Sequence, residues 1–329
     1  MHGYIDLKGN QVIPPIYDYA TSFRNGIAAV GLDNKTRFIS CSGETVLETN
    51  ILYVSNFSDG RALFQTNGKF GYLDMQGNVV IPPRFDYAYD FSEGYATVTE
   101  SSAGGIAFID VNGNFIHDKV YDNTMHFRDG IVSVKHHVSG KYGCINTAGE
   151  YVIDPISDRY ICFSEGLSQI EVNGKIGYIN RQGEIVITPR FAYAGDFHDG
   201  FAIIIKRNKF GYINKEGEII IDTIFNDAED FSDQLAPVKL GKTWGYLNPK
   251  GEFEIEPKYT NASCFIEGIA FVYEKKNIKM LKRNMELIDL GDQYQRLEYF
   301  SEGLSLVTVR EKRNKYAITK HSIEVTFRG

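Results

Sequence analysis

Hydrophobic and polar positions alternate over short stretches that are separated by turn residues. "GYLD" (Gly71 to Asp74) and "YATVTE" (Tyr95 to Glu100) alternate as half-buried strands do. "NVVIPP" (Asn78 to Pro83) reads as a return strand that ends at proline, which cannot donate to a ladder. No segment sustains an apolar period of 3.6 residues, so the sequence predicts an all-β protein.

Two turn signals separate these strands. "DMQG" (Asp74 to Gly77) places Asp first and Gly fourth, which favours a type I turn with glycine at positive φ and a β-bulge hairpin. Other units carry Asp or Asn where Asp74 stands, and both residues suit an Asx turn. "FSEG" (Phe91 to Gly94) is the second turn and leads into a third strand.

Two markers recur in step along the whole chain of 329 residues. The turn glycines are Gly9, Gly43, Gly77, Gly113, Gly149, Gly183, Gly217 and Gly251. The second marker is Phe23, Phe57, Phe91, Phe127, Phe163, Phe197, Phe231, Phe265 and Phe300. The spacing indicates a tandem array of about nine units of 34–36 residues, each predicted to be three-stranded and antiparallel.

One such unit has too little apolar surface for a core of its own, so neighbouring units must stack. Stacking would bury the recurrent aromatics Tyr17, Phe85, Tyr121, Phe191, Phe225 and Tyr259. At about 10 Å per stacked sheet, nine units would form an open superhelix roughly 90 Å long. We favour this solenoid over a closed propeller-like ring, because propeller blades usually have four strands and about 40 residues or more.

The last units lose the pattern, since Met285 stands where a turn glycine belongs. We therefore divide the array into residues 1–270, with regular repeats, and residues 271–329, a degenerate C-terminal cap of the same continuous array. The first residues, "MHGYIDLKGN", already lie inside the pattern. This start is what a fragment of a larger protein would show.

The phrase around these markers resembles the WG repeat, also called the KWG repeat, of bacterial proteins. Its clearest copy is "TWGYLNPKGEFEIEP" (Thr243 to Pro257), with Trp244 and Gly245 as the Trp–Gly pair. Elsewhere Phe70, Tyr142, Ile176 and Phe210 replace the Trp, Arg37 and Ala107 replace the Gly, and Gln234 replaces the second-turn Gly. Local irregularities are expected near these substitutions. The resemblance implies a non-catalytic, multi-repeat binding module.

Charge narrows the classes of partner. The net charge is -7, and residues 271–329 carry a balance of +4, which leaves -11 on the rest. An acidic body argues against nonspecific nucleic-acid binding, and we read the basic "REKRNK" (Arg310 to Lys315) as a solvated cap. Apolar runs such as "FAIII" are too short for membrane insertion. With no signal peptide in this chain, a cytoplasmic protein is expected.

Cysteine and histidine give no support for a metal or cofactor. Cys41, Cys144, Cys162 and Cys264 are expected to be unpaired thiols, which fits a reducing compartment. His117, His126, His136 and His137 lie close in sequence without a metal-ligand spacing, so exposed loop histidines are favoured over a metal site. No nucleophile or phosphate-loop motif occurs, and we predict a protein without catalysis or cofactor.

Two residue columns are candidate binding surfaces. The residue two after the repeat Phe is acidic in eight units: Asp59, Glu93, Asp129, Glu165, Asp199, Asp233, Glu267 and Glu302. Turn preference and solubility are favoured here over recognition of a basic partner, although turn preference explains Asp and not Glu. The second column holds Tyr19, Tyr53, Tyr87 and Tyr193. Contact with a partner and stacking of these rings on one another remain equal alternatives.

The function predicted from these observations is a repeat scaffold for protein–protein recognition through the Tyr and acidic columns. The alternative is a carbohydrate-binding module, because rows of aromatic rings can stack on sugars. A hydrolase that uses a pair of carboxylates from different units is a third class, since such pairs need only spatial proximity.

Overall fold

A computed structural model describes residues 1–100, 104–275 and 277–309. These residues form 32 strands in nine antiparallel sheets, which we call blades 1 to 9. In the full pattern a blade has a very short first strand, then second, third and fourth strands, in spatial order. Among these residues no helix has the length and hydropathy needed to span a membrane.

Blade 1 contains β3 (Tyr19–Ala20), β4 (Ile27–Leu32), β5 (Lys35–Ser40) and β6 (Thr45–Thr49). Blade 2 contains β7 (Ala62–Thr66), β8 (Lys69–Leu73) and β9 (Val79–Phe85). Blade 3 contains β10 (Tyr87–Ala88), β11 (Tyr95–Thr99) and β12 (Ile106–Asp110), and blade 4 contains β13 (Ile131–Lys135), β14 (Tyr142–Asn146) and β15 (Tyr151–Ser157).

Blade 5 contains β16 (Phe163–Ser164), β17 (Leu167–Val172), β18 (Lys175–Asn180) and β19 (Ile185–Phe191). Blade 6 contains β20 (Ala202–Lys206), β21 (Lys209–Ile213) and β22 (Ile219–Phe225). Blade 7 contains β23 (Asp227–Ala228), β24 (Ala236–Leu240), β25 (Thr243–Leu247) and β26 (Phe253–Tyr259), and blade 8 contains β27 (Asn261–Ala262), β28 (Ile269–Glu274), β29 (Asn277–Lys282) and β30 (Leu287–Asp289).

Blade 9 joins the two ends of the described chain. Its strands are β31 (Tyr294–Leu297), β32 (Leu304–Val309), β1 (His2–Asp6) and β2 (Gln11–Tyr17). β1 pairs with β32 over five residues, from His2 opposite Thr308 to Asp6 opposite Leu304. The nine blades therefore form a closed ring, a β-propeller.

The expected open superhelix is wrong. The expected three-stranded unit is found in four of the nine blades, and the other five have four strands. A blade fits into 34 residues because its first strand is only two residues long and because one residue, such as Asp18 between β2 and β3, links it to the preceding blade. Where the first strand is absent, a single bridge can replace it, as Thr124–Val134 does in blade 4. The argument from blade size failed because it assumed strands and links of ordinary length.

Residues 271 to 309, which belong to the predicted cap, provide most of β28 and all of β29 to β32. Residues 310–329, including "REKRNK", lie outside the described residues.

The core lies between successive blades. Tyr72, Ile81 and Phe85 of blade 2 pack against Phe91 and Val98 of blade 3, and other junctions repeat this arrangement. The Tyr of the repeated phrase is buried and donates its hydroxyl to a carbonyl of the next blade, as in the bond of Tyr72 Oη to Tyr89 O (2.7 Å). Each blade therefore completes its neighbour's core, as the repeat predicted.

The glycine of the Trp–Gly pair controls the fourth strand. A Cβ on Gly245 would lie 2.4 Å from the carbonyl oxygen of Ile255, so only glycine admits the bulged fourth strand at this distance. The six blades with this glycine have a seven-residue fourth strand. Arg37 replaces this glycine in blade 1, where the fourth strand β6 has five residues, and Lys279 replaces it in blade 8, where the fourth strand β30 has three. Ala107 replaces it in blade 3, where only isolated bridges occur in place of a fourth strand. The irregularities expected at Arg37 and Ala107 are confirmed.

Candidate functional site

The turn after the repeat Phe joins the first and second strands of each blade through two residues at positive φ. In blade 3 these are Glu93 (φ 56°) and Gly94 (φ 82°), and Ser92 and Tyr95 exchange both backbone hydrogen bonds across them. This is the geometry of a type I′ turn. The acidic column occupies the first position of the turn, where Asp and Asn are more usual than Glu. Glu at this position therefore suggests a role for the longer side chain.

Most carboxylates of this column bond to the next blade. In five pairs the carboxylate accepts one hydrogen bond from a backbone N–H of the next blade, at 2.7 to 3.0 Å. Asp59 accepts from Gly94, Glu165 from Gly200, Asp199 from Gln234, Asp233 from Gly268, and Glu302 from Gly26. Glu93 accepts from both Asp129 and Gly130, and Glu267 from both Glu302 and Gly303. Because Glu302 of blade 9 reaches Gly26 of blade 1, this series continues across the closure of the ring.

Serine hydroxyls add a second bond at several of these junctions. Ser92 Oγ donates to Phe127 O, and Ser301 Oγ donates to Phe23 O across the closure. We call the carboxylate and serine bonds between turns the inter-blade latch. The latch gives the acidic column a structural role, and its predicted role in binding stays a prediction.

Two turns differ from this scheme. Asp129 instead forms an ion pair with Arg181 of the next blade, and this guanidinium lowers the pKa of Asp129. In blade 1 the position is Asn25. At Glu165, burial alone would raise the pKa, but Lys215 and the Gly200 N–H outweigh it, so the pKa is lowered.

The tyrosine column lies on the opposite face of the ring. In an antiparallel blade, the turn between strands 1 and 2 and the turn between strands 3 and 4 share one end, which we call the turn face. The links between blades and the turns between strands 2 and 3 share the other end, the link face. Tyr19 lies at the link face, where its Oη is 2.5 Å from Oγ1 of Thr36.

The four tyrosines are not equivalent. Tyr53 and Tyr87 are 73% and 68% exposed, Tyr193 is 47% exposed, and Tyr19 is half-buried. The rings of Tyr19 and Tyr53 are in contact, with centroids 5.3 Å apart, whereas Tyr87 stacks on Phe70 at 6.4 Å. Stacking between column members therefore occurs at one pair, and Tyr53 and Tyr87 both keep most of their surface in solvent.

Tyr53 also has an unusual backbone. Its φ is 57°, a left-handed conformation that is an outlier for a bulky residue and that often marks functional sites. Beside it lies a cleft of about 560 Å³, bordered by Leu52, Phe64, Val79 and Pro83. Tyr53, Tyr87 and this cleft form what we call the tyrosine surface.

A third feature, absent from the sequence predictions, is a cavity on the ring axis. A cavity of about 670 Å³ is bordered by residues from blades 5 to 9, among them Gln169, Asp196, Asp230, Cys264 and Tyr299. Five successive blades of a ring can meet only at its axis, so the short first strands face the central channel. A neighbouring cavity of about 590 Å³ shares Glu229 and Tyr299 with it and also contains Glu298.

Titratable groups in this axial cavity have shifted pKa values. Burial raises the pKa of Glu229, whose Oε2 accepts a hydrogen bond from Cys264 Sγ at 3.3 Å. Burial also raises the pKa of Asp230. The charge of Asp196 raises this pKa further, whereas His198, whose Nε2 lies 3.6 Å from Asp230 Oδ2, lowers it in part. Tyr299 has its pKa raised to about 12, mainly by burial.

The sequence carries a signal for this cavity. The two positions before the repeat Phe are polar in many units, as in Asp196 before Phe197 and Glu229–Asp230 before Phe231. Only closure of the ring turns this phase toward a common axis. A linear stack would have spread the same residues along its length.

Cysteines and histidines do not assemble into a metal site in the part of the chain that the structure describes. The four cysteines are free thiols, as predicted. His126 contacts Tyr89, His136 contacts His137, and His117 packs against Phe108 and Tyr121. Both ring nitrogens of His117 are buried without a hydrogen-bond partner, so it is not the exposed histidine that was expected.

Solved structures that match this chain do so at very low sequence identity. A structure titled the eukaryotic initiation factor is 10% identical with a TM-score of 0.57, and the alignment covers 88% of this chain and 95% of that chain. Hsv2p of Kluyveromyces lactis is 10% identical with a TM-score of 0.43, covering 91% and 98%. Virginiamycin B lyase from Staphylococcus aureus is 14% identical with a TM-score of 0.30, covering 94% and 99%. The first of these shares the fold of this chain.

No curated protein sequence matches the chain. The repeat family described as "WG containing repeat" matches eight tandem segments, at residues 3–35, 38–70, 70–101, 107–137, 142–175, 176–210, 210–244 and 244–277. These segments cover most of the chain. The protein therefore belongs to the WG-repeat family.

Proposed function

We propose that this propeller is a non-catalytic domain that binds a protein partner through its tyrosine surface. The carrying observation is the exposure of Tyr53 and Tyr87, two large aromatic side chains on either side of blade 2. Tyr53 lies on the link before this blade, and Tyr87 lies in the short first strand of blade 3. Tyrosine supplies a wide amphipathic contact area at low cost in side-chain entropy. The adjacent cleft beside Leu52 and Phe64 can receive an apolar side chain of the partner.

The backbone at Tyr53 supports the same proposal. A left-handed φ at a bulky residue costs about 1–3 kcal/mol, and here it holds a side chain in solvent rather than in the core. The body of the chain is acidic, so the proposed partner presents a basic surface around its apolar anchor. The free thiols fit the proposed cytoplasmic location.

The test is affinity capture with the wild-type chain and with the variant Tyr19→Ala/Tyr53→Ala/Tyr87→Ala. We expect one or more proteins to be captured by the wild type and lost from the variant. The matched control is Tyr151→Ala, since Tyr151 is also partly exposed but lies on the fourth strand of blade 4. The same captured proteins from the triple variant and the wild type would refute the proposed surface.

Glycan binding, the alternative drawn from the sequence, is tested by the same three chains on a glycan array. Specific retention that depends on Tyr53 and Tyr87 would replace the protein partner with a carbohydrate. Silence on the array together with Tyr-dependent protein capture would support the proposal.

A further inference from the structure

We propose that the axial cavity binds an organic cation with several ammonium groups, of the linear polyamine class. The two joined cavities span blades 5 to 9 and part of blade 1. Their walls carry four carboxylates: Asp196, Glu229, Asp230 and Glu298. This site lies away from Tyr53 and Tyr87, so the inference does not depend on the proposed protein partner.

The walls of the two cavities hold more carboxylates than guanidinium groups. The cationic side chains in the walls are Arg159 and Arg296, and His198 faces Asp230 at 3.6 Å. Arg296 lies 3.5 Å from Glu298, so two arginines, one of them already in an ion pair, face four carboxylates. Glu229 and Asp230 are more than half buried, where an uncompensated negative charge is costly.

A buried acceptor provides an independent indication of a missing donor. Gln169 is 8% exposed and borders the cavity, and its amide nitrogen donates to Asp196 Oδ1 at 2.7 Å. Its side-chain oxygen is buried and has no hydrogen-bond partner. Buried acceptors without a donor are rare in folded proteins, and here the unpaired oxygen belongs to a side chain that borders the cavity and bonds to one of its carboxylates.

These groups define the chemistry of the ligand. Carboxylates and an amide oxygen accept hydrogen bonds, so the ligand must bring donors and positive charge, as alkylammonium groups do. Tyr193 and Tyr299 add aromatic surface that can contact methylene groups and cations. The carboxylates come from three different blades, which suits a chain of ammonium groups better than a single compact cation.

The test is isothermal titration calorimetry of the full chain with spermidine at low ionic strength. The variants are Glu229→Gln and Asp230→Asn, which keep the shape of the side chain. The control is Glu216→Gln, which removes an exposed carboxylate from a hairpin on the turn face. The ligand control is 1,8-octanediol, an extended chain without ammonium groups.

We expect saturable binding of spermidine, binding about tenfold or more weaker in Glu229→Gln and Asp230→Asn, and unchanged binding in Glu216→Gln. The two cavity variants should also melt at a higher temperature than the wild type without ligand, because each removes an unbalanced buried charge. Absence of saturable binding, equal affinity in all four chains, or equal binding of the diol would overturn the proposal.

Discussion

The two faces of the ring use the same repeat for different purposes. On the turn face, carboxylates such as Glu93 and Glu267 accept hydrogen bonds from backbone amides of the next blade. On the link face, Tyr53 and Tyr87 are exposed, and the equivalent positions in other units vary among Asn, Arg and Asp. A repeated residue of this protein can thus hold neighbouring blades together, whereas the residue that varies at an exposed phase is the one we propose for recognition.

The strongest test of this difference is removal of the latch where the ring closes. Ser301→Ala/Glu302→Ala deletes the bonds to Phe23 O and to the Gly26 N–H. We expect the free energy of unfolding to fall by about 2 kcal/mol, roughly 1 kcal/mol for each bond. Urea denaturation measures this change.

The matched variant on the link face is Tyr53→Ala/Tyr87→Ala. Exposed side chains contribute little to folding, so we expect a change of at most about 1 kcal/mol, mostly from the lost ring contacts with Tyr19 and Phe70. If the tyrosine variant were the less stable of the two, the assignment of structural and recognition faces would be reversed.

Acid should weaken the turn face in two stages. Burial is the main cause that lowers the pKa of His117, which lies against the turn at Gly149. As pH falls below about 6.5, the unfolded chain gains the proton before the folded chain does, so stability decreases. The pKa of Glu165 is also lowered in the folded protein. The contribution of Glu165 to stability is therefore present above its pKa in the unfolded chain, about 4.3, and is lost on further acidification.

Melting temperature measured against pH separates these stages. The variant His117→Phe fits among Phe108 and Tyr121 and should reduce the stage near pH 6.5 to the contribution of His2, whose pKa burial also lowers, while keeping the acid stage. His137→Asn, at an exposed position, is the control and should keep both stages. A His117→Phe profile identical to that of the wild type would show that the stage arises from another group.

The smallest expected effect is a gain. Blade 1 has Asn25 where seven other turns use a carboxylate to reach the next blade. Asn25→Asp should add such a bond to the turn at Asp59–Gly60 and raise the free energy of unfolding by about 0.5 kcal/mol. Urea denaturation at pH 7 and at pH 3 measures it, because the gain requires an ionised carboxylate.

Local structure was predictable because short-range chemistry determines it. The Asp74 turn has the expected form: Gly77 N–H bonds to Asp74 O, Gly77 has a φ of 83°, and Asp74 Oδ1 accepts from the N–H groups of Gln76 and Asn78. The repeat period and the exposed position of Tyr53 also follow from residue type and spacing. Each of these depends on a few adjacent residues.

Ring closure was not predictable in the same way. The pairing of β1 with β32 joins residues about 300 positions apart, and no local pattern at His2 or Thr308 specifies it. The repeat period does not decide between a stack and a ring, since two-residue strands such as Tyr87–Ala88 allow a small blade. The axial cavity at Glu229 and the latch of Glu302 to Gly26 both depend on that closure, so both were missed.

The central claim, that the link face is the recognition face, is tested most directly by hydroxyl-radical footprinting of the complex with a captured partner. We predict protection of Tyr53 and Tyr87 in the complex, with the turn-face side chains Tyr95 and Phe201 as reactive as in the free protein. Protection confined to Tyr95 and Phe201, with Tyr53 and Tyr87 unchanged, would contradict the account.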